Sequence, residues 1–135
     1  MRGSLRGGIW LLLWLFVMIA GRAAAEPACP PPSKAMARLE LVFGFGHSVN
    51  EPAFRAFLGK EVTPRFPDGL SLFSGYGQWR NGRGRIIKEA SRLLLIWYVP
   101  DANSNAKIEA IRKAYETRFH QQSVLRADGQ SCVSF

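Results

Sequence analysis

The apolar residues of this chain recur with a period of two in some stretches and of about 3.6 in others, which predicts both strands and helices. A first strand is predicted from Arg38 to Phe45, where leucine and phenylalanine alternate with other residues. A helix is predicted next, because Asn50 can cap its N-terminus and aromatic residues follow at helical spacing. It ends at Thr63, since the residue before a proline disfavours helical dihedrals.

A second strand is predicted from Leu70 to Arg80, followed by a glycine-containing hairpin loop. The third strand, Leu93 to Val99, is apolar on both faces, which is typical of a central strand covered on two sides. A second helix is predicted after Pro100, where Asp101, Asn103 and Ser104 are suitable capping residues, and it buries a regular apolar stripe. The stripe consists of Ile108, Ile111, Tyr115 and Phe119.

The last strand is predicted over Ser123–Ala127 and Ser131–Phe135, with a bulge or turn at Asp128–Gly129. The order of elements is therefore strand, helix, strand, strand, helix, strand. One hairpin and two right-handed crossovers make the split βαβ, ferredoxin-like sandwich the simplest closed arrangement. The predicted fold is α+β, with an antiparallel four-stranded sheet, two helices on one face, and the first and third strands in the centre.

Residues 1–25 have the three-part pattern of a secretory signal peptide. Arg2 and Arg6 precede an apolar run from Ile9 to Ala20, and small residues extend to Ala25. As a helix this run would reach about 18 Å, against a hydrocarbon layer of about 30 Å. We therefore expect cleavage after Ala25, and a retained anchor is the alternative.

Cleavage would leave a Pro-rich lead-in, residues 26–37, and a single α+β domain, residues 38–135. No stable membrane span would remain, and the protein would be periplasmic or secreted. Loss of the three arginines in the leader lowers the formal net charge from +8 to +5. Because export separates the protein from most nucleic acid, an anionic component of the cell envelope is the partner that fits this charge. Ordinary solvated surface charge is the alternative.

Cys29 and Cys132 are the two cysteines of the chain. In an oxidising compartment, a pair near the two ends of a domain predicts a disulfide. The topology supports the same pair, because the last strand would lie antiparallel beside the first and bring Cys132 near the lead-in. Lipidation of Cys29 is the alternative, but its position beyond the apolar run fits a lipoprotein processing site poorly.

Candidate binding chemistry lies on the second strand, where Tyr76, Gln78 and Arg80 project from one face. Lys88 or Glu89 would face this row across the hairpin, depending on the register. An arginine with tyrosine and glutamine donors can hold a carboxylate or a phosphate. The alternative is a solvated edge strand, whose charges discourage pairing with another sheet.

The sequence predicts neither a metal site nor a cofactor. The histidines, His47 and His120, lack the spacing of paired metal ligands. The glycines of 44–46 and 82–84 do not form a phosphate fingerprint and are assigned to turns and bulges. A disulfide would remove thiol chemistry, so the catalytic residues of any enzyme function remain unassigned.

The strings VTPRFPDGL, YGQWR, KIEAIRKAYETRF, SVLR and CVSF resemble domain-of-unknown-function family 3574, over roughly Arg38 to Phe135. The resemblance implies a small exported bacterial protein, and it supplies no activity and no catalytic residues. Some members look lipid-anchored, whereas this chain lacks a convincing attachment sequence around Cys29.

Two classes of function remain open. The first is a small non-catalytic binding or interaction module of the cell envelope, able to form a homodimer through the open face of its sheet. The second is a small cofactor-independent enzyme, isomerase or oxygenase-like, with a cleft on the sheet face. In that enzyme Tyr76, Arg80 and Glu89 would supply acid–base and anion-stabilising groups, which requires the three side chains to line one cavity.

Overall fold

The computed structural model describes residues 28–135, and the predicted signal peptide, residues 1–25, lies outside the described residues. The elements are β1 (Lys34–Phe45), α1 (Glu51–Phe57) continued by a π-helix (Leu58–Val62), β2 (Ser71–Arg80), β3 (Ile86–Tyr98), α2 (Ser104–Phe119) and β4 (Leu125–Val133). Within this part of the chain, no helix is long and apolar enough to cross a membrane.

The four strands form one open antiparallel sheet in the order β2-β3-β1-β4. β1 and β3 are therefore the central strands, as predicted. β1 begins at Lys34, inside the predicted lead-in, because it pairs with β4 as far as Val133. The buried residues of both helices join a single core on one side of the sheet. The predicted α+β class is confirmed.

The boundaries of the last two strands differ from the prediction. β3 begins at Ile86, well before Leu93, because its pairing with β2 continues down to the hairpin loop. β4 runs unbroken through Asp128 and Gly129, in regular register with β1, so the predicted interruption is wrong. Pairing with β1 outweighs the local turn preference of Asp-Gly. A Cβ on Gly129 would lie 3.3 Å from Nη2 of Arg38, which shows how closely that side chain crosses the glycine.

Helix α1 begins where the sequence predicts, after the Asn50 cap. The Asn50 Oδ1 accepts a hydrogen bond from Ala53 N at 2.9 Å, which satisfies one of the free N–H groups of the first turn. The helix continues as one π-helical turn, in which Thr63 N donates to Leu58 O at 2.9 Å. The π-helix ends at Val62, but Thr63 keeps right-handed helical dihedrals (φ −53°, ψ −42°) although a proline follows it. Phe66 N still donates to Val62 O at 3.0 Å, so one further helical turn continues past Pro64.

The centre of the core is Phe43 of β1. Its ring centroid lies 5.5 Å from that of Phe54, 5.9 Å from that of Phe57 and 4.6 Å from that of Tyr115. The buried Tyr115 hydroxyl donates to Gly44 O at 2.9 Å, so its polar atom is satisfied. The other core residues are Leu39, Leu41, Val62, Phe66, Leu94, Ile96, Ile108, Ile111, Phe119 and Val124.

The opposite face of the sheet carries neither helix. Leu93, Leu95 and Trp97 of β3 project there and are half-buried. Beside them Phe73 is 51% exposed and Leu125 is 59% exposed. Within residues 28–135, neither helix covers the second apolar face of β3, because both helices pack on the other side. We call this surface the open face.

Cys29 and Cys132 form a disulfide with a Cα–Cα distance of 5.4 Å, which confirms the predicted pair. Cys132 lies opposite Ala35 in the pairing of β4 with β1, so the short segment before β1 reaches it directly. The two cysteines are 103 residues apart in sequence. The bond therefore ties the N-terminal lead-in to the last strand.

Replacing both cysteines by serine is expected to lower the free energy of unfolding by about 4 to 5 kcal/mol, because the disulfide closes a long loop in the unfolded chain. Urea unfolding of the oxidised protein and of the double variant measures the difference. Wild-type protein kept reduced is the control and should reproduce the loss. A difference below about 1 kcal/mol would contradict the assigned role of the bond.

Stability is also expected to fall at alkaline pH. Burial, and then the nearby charge of Glu89, raises the pKa of Tyr115 above its ordinary value of 10.0. The native state keeps this proton while the unfolded chain releases it above about pH 10, so the stabilisation is complete below that pH and declines above it. Burial also raises the pKa of Tyr98, which adds to the same trend.

Tyr115→Phe should reduce this alkaline decline and cost roughly 1 kcal/mol at neutral pH, because one buried hydrogen bond is lost. Urea unfolding between about pH 8 and 11 measures both effects. The exposed Tyr76→Phe is the matched control and should leave the decline unchanged. An equal decline in Tyr115→Phe and wild type would contradict the assignment.

Candidate functional site

The register of the β2–β3 hairpin decides which predicted site residues share a face. Gln78 lies directly opposite Lys88, and opposed residues of antiparallel strands project to the same side. Tyr76 and Arg80 extend the row on that side. Glu89 projects from the other face, so the structure brings together four of the five predicted residues and separates the fifth. The single cavity that the enzyme hypothesis requires for Tyr76, Arg80 and Glu89 is not found.

The row of four lies at the part of the hairpin that the helices do not cover. Tyr76 is 66% exposed, and the neighbouring Ile86 is 53% exposed. Asn81 fixes the loop, since its Oδ1 accepts hydrogen bonds from the backbone N–H groups of Arg83 and Arg85, each at 3.0 Å. The loop therefore presents two further arginines that strand alternation did not single out. Their signal in the sequence is the close spacing of basic residues around the glycines.

We call the surface formed by Arg80, Arg83, Arg85 and Lys88, with Tyr76, Gln78 and Ile86, the basic hairpin. Its four cations form no ion pair with any residue between 28 and 135. Several other cations are neutralised, as Arg92 is by Glu51 at 2.9 Å and Arg126 by Glu109 at 2.7 Å. Uncompensated positive charge is therefore concentrated at the end of this hairpin.

A cleft of about 250 Å³ opens on the other side of the same hairpin. Three glycines meet at its floor and leave room above the sheet. Gly44 and Gly75 lie on either side of Ser91, and Gly77 lies opposite Glu89. We call it the glycine-floored cleft. The lining residues are Val42, Gly44, Gly77, Gln78, Trp79, Glu89, Ser91, Gln121, Gln122, Ser123 and Leu125. Of the glycines that line the cleft, Gly44 was assigned to a turn or bulge in the sequence analysis, whereas Gly77 lies within the predicted second strand.

Glu89 is the charged group of this cleft. Its Oε1 accepts a hydrogen bond from Trp79 Nε1 at 2.8 Å. The carboxylate lies over Gly44, where an added Cβ would come within 2.9 Å of its Cδ. Among the described residues, no cation pairs with Glu89, since Arg92 bonds to Glu51 instead. Glu89 therefore offers an un-neutralised carboxylate to the cleft.

Residues 28–135 contain no group of three or more histidine, cysteine or acidic side chains that could hold a metal ion. The donor atoms of both surfaces are arginine, lysine, tyrosine and tryptophan N–H or O–H groups. Their acceptors are a single carboxylate, amides and hydroxyls. These groups suit recognition of charged organic molecules and phosphates.

The sequence profile of a family described as "Protein of unknown function (DUF3574)" matches residues 38–135. The chain belongs to this family. The match confirms the resemblance seen in the sequence, and it covers all the strands and helices of the sheet domain except the first part of β1. No curated protein matches this DUF3574 chain.

Two solved structures share the fold of the DUF3574 domain. A phage SAM lyase in complex with S-methyl-5′-thioadenosine has a TM-score of 0.59 and 14% sequence identity, and the match covers 74% of this chain and 90% of that chain. The phage SAM lyase in its apo state has a TM-score of 0.51 and 15% identity, over 73% of this chain and 81% of that chain. At these identities the likeness shows a common fold and assigns no activity.

Proposed function

We propose that this DUF3574 protein is a small non-catalytic interaction module of the cell envelope that binds anionic lipid headgroups through the basic hairpin. The observation that carries the proposal is a set of four cations that form no ion pair with any residue from 28 to 135, on a hairpin whose loop is fixed by Asn81. Export to the periplasm or beyond rests on the predicted signal peptide and on the disulfide, which persists in oxidising compartments.

Phosphodiester groups match the chemistry of this surface. Arginine can donate two parallel hydrogen bonds to a phosphate, and Tyr76 and Gln78 add donors beside Arg80. Each basic residue near an anionic membrane contributes about 1 kcal/mol, so four contribute roughly 4 kcal/mol, which corresponds to millimolar binding. The exposed Tyr76 and Ile86 add apolar contact at headgroup depth. We therefore expect reversible, salt-sensitive association.

The ferredoxin-like assignment of the fold is part of this proposal. Counted from the edge formed by β4, the strand order of the sheet is β4-β1-β3-β2. This order, with one hairpin and a helix in each of two crossovers, supports the split βαβ arrangement. It leaves β2 at an edge, where the basic hairpin is free to reach a membrane.

The alternative function, a small cofactor-independent enzyme, loses its proposed constellation because Glu89 lies on the other face from Tyr76 and Arg80. The related fold of a phage SAM lyase in complex with S-methyl-5′-thioadenosine favours a small-molecule site on this scaffold. It does not supply a catalytic group in this chain. We therefore retain ligand binding from this alternative and propose no reaction.

A homodimer through the open face is a further part of the proposal. Exposed Phe73 and Leu125 flank the half-buried Leu93 and Leu95 there, and contact with a second copy would cover them. The four strands have between 9 and 13 residues. At about 4.8 Å between strands they give a flat area of roughly 700 Å². A stable interface needs about 800 Å² per partner, so the expected dimer is weak and concentration-dependent.

The purified, disulfide-bonded protein is expected to sediment with vesicles of phosphatidylglycerol and phosphatidylcholine, and not with phosphatidylcholine alone. Replacing Arg83 and Arg85 by glutamine should weaken this binding about thirtyfold, because two basic contacts of about 1 kcal/mol each are lost. Added salt should also weaken it by screening the charges.

The matched control is the double replacement of Lys60 and Lys113 by glutamine, since both lysines are exposed on helices and unpaired among the described residues. This control removes the same charge and should retain most of the binding. Equal losses in the two double variants would contradict a role for the hairpin. Binding to soluble polyphosphate but not to the anionic vesicles would contradict a lipid partner.

Sedimentation velocity should show a coefficient that rises with protein concentration. Phe73→Glu should abolish the rise by placing a charge on the open face. Tyr76→Glu is the matched control, because Tyr76 lies on the same strand but the other face, and should leave self-association intact. A concentration-independent monomer, or an equal effect of both substitutions, would contradict the proposed dimer face.

A further inference from the structure

The glycine-floored cleft contains chemistry opposite in sign to that of the basic hairpin. Its charged group is Glu89, whereas Lys88, the residue that precedes it in β3, projects from the other face. Gln78 contributes to both surfaces, but their charged groups lie on opposite faces of the sheet, so the cleft is a distinct site. It attracts positive charge and repels the anions that the basic hairpin binds.

We propose that the glycine-floored cleft binds a small organic cation, a protonated amine or amidine carried on an aromatic or aliphatic body. The cationic N–H groups of such a ligand bond to the Glu89 carboxylate, and its apolar body packs against the walls of the cleft. The two parts of this assignment come from different observations.

The preference for a cation comes from the hydrogen bonding of Glu89. The Trp79 indole N–H occupies Oε1 and holds the carboxylate in place at 2.8 Å. Oε2 accepts no hydrogen bond and forms no ion pair with residues 28–135. Each carboxylate oxygen has more than one lone pair, so Glu89 retains capacity for two further donors. A half-buried carboxylate fixed in this way is stabilised by a charged N–H donor from a ligand.

The preference for an apolar body comes from the walls. The apolar side chains that line the cleft are those of Val42, Trp79 and Leu125. Leu125 is 59% exposed, so its apolar surface is accessible to a ligand. Further polar groups in the lining are the hydroxyls of two serines and the amides of three glutamines, namely Ser91, Ser123, Gln78, Gln121 and Gln122. Apolar walls with a few fixed polar groups are typical of small-molecule sites.

The size of the ligand follows from the floor and the volume. A Cβ on Gly77 would lie in ordinary van der Waals contact with Ser91 and the Glu89 backbone, at 3.8 Å and beyond, so the position has room for a side chain that the glycine does not supply. The cleft volume of about 250 Å³ equals the liquid volume of about eight waters. A single ring with a cationic substituent fits this space, and a larger molecule would extend over the open face.

Benzamidine is a suitable probe, and benzamide is its neutral counterpart of nearly the same shape. In two-dimensional NMR of the full, disulfide-bonded protein, benzamidine is expected to shift the Trp79 indole N–H resonance in a saturable way, with a Kd on the order of 1 mM or below. Benzamide should bind at least about tenfold more weakly, because a charged hydrogen bond is replaced by a neutral one. Trp79→Phe assigns the resonance.

Glu89→Gln keeps an acceptor for Trp79 and should weaken benzamidine binding at least about tenfold. Gly77→Val should also abolish binding, because its side chain would fill the cleft. One variant removes the charge and the other removes the space, so the two variants test the site independently. Asp68→Asn is the control, since Asp68 is exposed, lies outside the cleft and should leave the affinity unchanged.

Absence of a saturable shift, or equal binding of benzamidine and benzamide, would overturn the proposal. Unchanged affinity in Glu89→Gln or Gly77→Val would do the same. Vesicle binding through the basic hairpin does not involve these residues, so failure here leaves the proposed lipid interaction standing, and failure of that interaction leaves this site standing.

Discussion

The packing of Phe43 against aromatic rings of both helices determines which surfaces of the protein are free. The ring centroid of Phe43 lies 5.5 Å from that of Phe54 on α1 and 4.6 Å from that of Tyr115 on α2. Because both helices must reach this one ring, both lie on the same side of the sheet. The opposite side and the far end of the β2–β3 hairpin stay uncovered. The two surfaces with functional chemistry are therefore consequences of how the core is filled.

Gly44 connects the core to the glycine-floored cleft. On the core side, the Tyr115 hydroxyl donates to the Gly44 carbonyl oxygen at 2.9 Å. On the open face, the Glu89 carboxylate lies where a side chain at position 44 would stand. The charge of Glu89 acts through this thin part of the sheet and contributes, after burial, to the raised pKa of Tyr115. A glycine within a strand weakens it. Here Gly44, the penultimate residue of the central strand β1, makes room for a carboxylate.

Much of the fold could be predicted from the sequence, because element order, the Asn50 cap and the cysteine pair depend on local pattern and compartment. The row of alternating residues on β2 was predictable for the same reason, since period two is independent of pairing. The sheet face from which Glu89 projects could not be predicted, because a shift of one residue in the strand register moves every side chain of the strand to the other face. The course of β4 through Asp128–Gly129 was missed because pairing with β1 overrides a local turn preference. The cleft was hidden because its glycines come from different strands and meet only in the paired sheet.

The pleat of β3 explains why both charged surfaces are available to outside partners. Lys88 and Glu89 are adjacent in sequence, but neighbouring residues of a strand point to opposite faces, which places their charges roughly 10 Å apart. At that distance their attraction in water is only about 0.4 kcal/mol. Neither charge is neutralised by the other, and neither has another ion-pair partner in the part of the chain that the structure describes. A lipid phosphate on one face and an organic cation on the other would each supply the missing counter-charge at close range, where a hydrogen-bonded ion pair contributes more than the attraction between these two residues.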